Sequence, residues 1–111
     1  KFDPITFPNV LSAPSDVWWD GKHLDIADQS GPSGATVLNQ YQTRGGIQLL
    51  GTIALSQQVA QFVTGSSLLV GSVASQQSVD FWSYPAGGSP TKTITGFTSP
   101  FGVAISPVLP Q

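Results

Sequence analysis

His23 and Asp25 stand two positions apart in the run "HLDIAD". That run reads as a strand, and side chains alternate along a strand, so the pair shares one face. A histidine beside a carboxylate can orient a general base or form one side of a metal site. His23 is the single histidine of the chain. A pair with no nucleophile and no third ligand rarely makes a site, and the plainer reading is a solvent-facing turn residue with a carboxylate neighbour. Asp16, Asp20, Asp25 and Asp28 form a loose acidic group. Their spacing matches no calcium loop, which needs oxygens converging on one point. Asp20 belongs to an Asp-Gly turn, and Asp28 is placed to cap the turn after its strand. With no Cys there is no disulfide and no thiolate metal ligand. No Gly-x-Ser-x-Gly occurs, and "GPSG" lacks the Lys and the helix of a phosphate loop. No catalytic set, metal site or cofactor is expected.

Trp18, Trp19, Trp82 and Tyr84 are the remaining side chains suited to a ligand, through stacking on a sugar. All four lie in strand-like runs, which favours packing between sheets over an exposed platform. The candidate binding residues are therefore His23, Asp25, Trp82 and Tyr84.

A chain of 111 residues allows one ordinary domain. Hydrophobic residues make up 40%, enough for a packed core, but charged residues are only 9%, against about 25% in an ordinary soluble domain. Ser, Thr, Gln, Asn and Gly must supply the polar surface. Four Lys and Arg against six Asp and Glu leave a net charge of −2. This excludes the basic stripe that nucleic acid requires. No apolar run approaches the roughly 18 residues of a membrane-spanning helix, so no membrane insertion is expected. The first residue is Lys and Met is absent, which suggests a processed chain or a piece of a longer one. The low-charge, Gln/Ser/Thr-rich surface favours a secreted or periplasmic protein.

Twelve Gly and nine Pro punctuate the chain, and no stretch keeps a helical period. "LSQQVAQFV" allows one helical turn at most. Strands are expected over residues 5–7, 16–19, 23–28, 36–42, 47–55, 60–63, 67–72, 78–84, 91–95 and 102–106. The arrangement repeats. Gly21 in the first hairpin turn recurs as Gly65, and Gly45-Gly46 recurs as Gly87-Gly88. Pro14, Val17 and Trp19 recur as Pro100, Val103 and Ile105. The three matches agree on a period of about 43 residues with four strands in each, the pattern of a propeller blade. "VDFWSY", "TVLNQYQ" and "VWW" carry bulky residues on both faces, as expected of sheets covered on both sides.

At this point the chain resembles the NHL-type and related six-bladed propellers of bacterial proteins. The resemblance rests on Tyr84, Pro85, Gly87, Gly88, Pro100, Gly102, Val103 and Ala104, and on Pro14, Asp20, Gly21 and Asp28. It covers residues 5–106 and implies propeller architecture. That group includes both binding modules and enzymes, so it does not select a function.

The expected fold is all-β: two four-stranded blades, 8–55 and 56–96, with residues 97–106 starting a further blade and residues 5–7 ending a previous one. A β-sandwich is the alternative. Two blades cannot close a ring, so self-association or the rest of a longer chain is expected to complete it. Three copies of two blades would give six. The expected function is a non-enzymatic extracellular scaffold or protein-interaction module. The alternatives are a propeller hydrolase or lyase and a carbohydrate-binding propeller.

Overall fold

The computed structural model describes residues 6–98 and residue 100. The chain is all-β. Strands β1 (Pro14–Trp19), β2 (Leu24–Asp28), β3 (Val37–Gln42) and β4 (Gln48–Ala54) form one antiparallel sheet in chain order. Strands β5 (Phe62–Thr64), β6 (Leu68–Val73), β7 (Ser78–Ser83) and β8 (Lys92–Thr95) form a second with the same order. Each strand pairs with its sequence neighbour, and no strand crosses between the sheets among the described residues. The β2–β3 and β6–β7 connections each hold one short 3-10 turn, Pro32–Gly34 and Ala74–Gln76. The repeat is thus visible in the connections as well as in the strands.

The turns form where the local chemistry places them. Asp20 Oδ1 accepts from the backbone N–H groups of Lys22 and His23, at 2.8 and 2.5 Å. Gly21 takes the positive φ of 98° that closes this turn. Trp18 and Trp19 then leave β1 on opposite faces. Trp18 packs against the core and donates to Thr64 Oγ1 at 2.9 Å, whereas Trp19 is 51% exposed.

The sheets stack over one apolar cluster. Ala27, Leu38 and Ile53 of the first sheet meet Phe62, Leu69, Val73 and Trp82 of the second, with Leu55 and Val59 between them. Two polar bonds add to the junction: Asp16 Oδ2 accepts from the Phe62 N–H at 3.0 Å, and Thr36 Oγ1 from the Val59 N–H at 2.8 Å. The β7–β8 loop closes the far end. Gly88 donates its N–H to the Ala54 carbonyl at 2.8 Å, and its own carbonyl accepts from Ser56 N–H at 2.9 Å and from the Trp82 indole at 3.0 Å.

Two expectations change, and a third falls outside the described residues. Residues 5–7 were expected to be a strand, but Thr6 and Phe7 pair with nothing, and Ile5 lies outside the described residues. Phe7 instead packs on Tyr41, ring centres 5.0 Å apart, and the Tyr41 hydroxyl donates to Asn9 at 2.6 Å. Packing Phe7 on the Tyr41 ring takes apolar surface of both out of water, which favours this path for the chain. The stretch 55–63 contains no helical turn: Ser56, Gln57 and Ala60 form bends, and Val59 is drawn into the core. The expected strand 102–106 lies outside the described residues.

Two substitutions test the junction. A Cβ at Gly87 would lie 2.6 Å from Ile53 Cγ2 and 2.7 Å from the Ala54 carbonyl oxygen, on a backbone with φ +71°. Gly87→Ala is expected to cost about 2–4 kcal/mol, overpacking added to left-handed strain. Gly45→Ala, with φ +75° and open space around it, should show only the strain of about 1–2 kcal/mol. Urea unfolding separates the two, and equal losses would mean the loop is not clamped. Trp82 is fully buried, so Trp82→Ala should cost about 3–5 kcal/mol. An unchanged melting temperature would place that ring at the surface.

Candidate functional site

One polar network crosses between the sheets. Tyr84 follows the last residue of β7, and its hydroxyl reaches back to the first sheet. It lies 2.5 Å from Asp25 Oδ2 and 2.8 Å from Asp20 Oδ2, and it accepts from Gln40 Nε2 at 2.9 Å. Asp25 and Gln40 are direct cross-strand partners on β2 and β3. The matching pair of the second sheet, on β6 and β7, is Leu69 and Trp82. The first repeat therefore places two polar side chains where the second places two apolar ones.

The protons can be counted. A phenol has one hydrogen and cannot donate to two carboxylates at once. Asp25 is fully buried and its Oδ1 has no partner, a costly state for an ionised carboxylate. Burial, reinforced by the Asp20 charge and opposed by the Tyr84 hydrogen bond, holds the Asp25 carboxyl above its ordinary range. The hydroxyl donates to Asp25 or to Asp20 at any moment, and in its protonated form Asp25 can donate to the Tyr84 oxygen and leave the phenol proton for Asp20. Asp20 moves the other way. Burial acts to raise it, but hydrogen bonds from the His23 backbone, Tyr84 and the Lys22 backbone prevail and hold it below the ordinary range. The Tyr84 phenol is driven far above its usual value, first by burial and then by its two carboxylate partners. It is a hydrogen-bond donor here and not a base.

The structure thus brings Asp25 and Tyr84 together and adds Asp20 and Gln40. His23 lies at the turn, as the plainer reading expects, but its carboxylate neighbour is Asp20 and not Asp25. It precedes β2 at the end of the turn, and its Nδ1 lies 3.3 Å from Asp20 Oδ2 instead of pairing with Asp25. Trp82 is sealed inside, donating to the Gly88 carbonyl. Tyr84 is half-buried, at the wall of a cleft of about 270 Å³ that also touches Asp20, His23, Gln40 and Ser66. The other acids are dispersed: Asp28 accepts from the Ser12 and Ala13 N–H groups, at 3.1 and 2.6 Å, and so holds the entry to β1. Among the described residues no group of three His, Cys, Asp or Glu is placed to hold a metal.

Gln40 was missed by sequence reading. Its signal was present: it occupies the repeat position where the second copy carries Trp82. A second cleft, of about 320 Å³, lies between the β1–β2 and β3–β4 turns and is lined by Trp19, Lys22, His23, Gln42, Thr43 and Arg44. Comparison with protein-family models, with curated proteins and with solved structures found no match.

The network makes stability depend on pH. A carboxyl raised on folding contributes stability that is fully present below its ordinary value of 3.8 and lost as pH rises through the raised value. Asp20, lowered on folding, contributes stability that is lost only as pH falls through its depressed value. From about pH 4 upward the Asp25 contribution therefore declines, and Asp25→Asn should flatten that slope. Urea midpoints measured across this range check it. An identical slope in both proteins would rule out a protonated Asp25.

Proposed function

We propose that this chain is a pair of propeller-type blades acting as a non-enzymatic extracellular interaction module. Its ring is completed by further copies or by the rest of a longer chain. The observation that carries this reading is the exposed apolar surface of two otherwise well-formed meanders. Val17 and Leu50 of the first sheet are 57% and 48% exposed, and Ile94 and Phe97 at the end of the second are 41% and 42% exposed. Apolar side chains left open on strands suit contact with further sheet. The repeated four-strand order and the shared Gly-Gly loops support the blade assignment. A binding role suits a network whose acids are buried and committed to one another, with no nucleophile bonded to His23. Secretion or export to the periplasm fits the low-charge surface.

Light scattering of the purified chain tests the assembly. The expected particle is larger than the 11.6 kDa chain, and three copies would supply six blades. A monodisperse 11.6 kDa monomer with a cooperative melt would overturn the proposal.

A further inference from the structure

We propose that the cleft between the β1–β2 and β3–β4 turns binds a carboxylate-bearing sugar, a uronic acid residue of an acidic polysaccharide. This inference does not depend on ring closure.

Charge is the first argument. The chain has only four Lys and Arg, and two of them, Lys22 and Arg44, line this one cleft. The single ion pair among the described residues is His23 with Asp20. Lys22 and Arg44 therefore have no carboxylate partner among the described residues. Among the described residues no Asp or Glu lines the cleft. Asp20, at the start of the adjoining turn, commits its carboxylate to Tyr84 and to the backbone of that turn. Two unpaired cations in a concave site suit one carboxylate, through charge-assisted hydrogen bonds.

Shape is the second. Trp19 forms one wall, half exposed at the end of β1. Its neighbour Trp18 faces the core, so strand alternation itself turns the Trp19 ring outward. An open indole face packs well against the C–H face of a pyranose ring. Gln42 and Thr43 add neutral donors and acceptors suited to sugar hydroxyls. A volume of about 320 Å³ is at the small end for ligand pockets and suits one or two rings.

Titration of the purified chain with oligogalacturonate, a neutral oligosaccharide of equal length, and acetate tests the proposal by calorimetry and tryptophan fluorescence. The acidic oligomer should bind about tenfold or more tighter than the neutral one, and should weaken with added salt. Arg44→Gln should weaken it about tenfold. Trp19→Ala should remove most binding, with Trp19→Phe restoring much of it, and melting curves should show both variants folded. If Trp19→Ala does not fold, Trp19→Phe and Arg44→Gln decide. The proposal is overturned by no binding of the acidic oligomer, by equal binding of the neutral one, by acetate binding as well as the oligomer, or by undiminished binding in Arg44→Gln. None of these readouts depends on the particle mass that tests ring completion.

Discussion

The carbonyl oxygen of Gly88 accepts from two donors, the Ser56 backbone and the Trp82 indole, while the Gly88 N–H donates to Ala54. This junction ties the end of the first sheet to the last hairpin of the second. The rest of the stacking depends on it. Trp82, the largest fully buried side chain, is held at its polar end by the same carbonyl that anchors the inter-sheet link. Burying an indole without a partner for its N–H would sacrifice part of what its apolar surface gains. The approach is close enough that position 87 has no room for a side chain. A glycine there is a packing requirement and also a turn requirement.

The Tyr84 network lies at the start of the same loop. Because Gly88 fixes where the loop sits, Tyr84 is delivered to the first sheet and meets Asp25, Asp20 and Gln40. Apolar contacts alone tolerate small slides between sheets. A hydroxyl bonded at three points tolerates far less, so the network fixes how the sheets align. Its cost is visible in the unpartnered Asp25 Oδ1. The upward shift of the Asp25 carboxyl favours its neutral form and so lowers that cost.

Scarcity of charge gives each remaining cation weight. Lys92 lies 6.0 Å above the Phe81 ring, while Lys22 and Arg44 meet at one cleft. The same short turn sets both sides of this chemistry. Asp20 closes the turn with its Oδ1 and joins Tyr84 with its Oδ2, while Lys22 and Trp19 both line the cleft beside that turn. The rigid pairing of β1 to β2 and of β3 to β4 holds the two turns at one end of the sheet. Stability is uneven across the fold: every residue of β8 is exposed, while β6 is buried along almost its whole length. Local opening is therefore expected to begin at β8.

The eight strands were legible in the sequence because their signals are local. Asp20-Gly21 and Gly87-Gly88 specify their turns within a few residues, and the period of about 43 residues set four strands to each sheet. Neighbours pair with neighbours, so strand order needed no long-range information. The three-dimensional partners were not legible. Tyr84 and Asp25 are 59 positions apart, and nothing in either segment names the other. His23 and Asp25 share a strand-like run, but the turn drew His23 to Asp20. Trp18 and Trp19 are chemically identical, and only the stacking of one sheet on the other decided which is core and which is surface. Alternation and turn chemistry act over a few residues and are written into the chain. The choice of face and of buried hydrogen-bond partner arises from contacts between sheets, which exist only once both have formed.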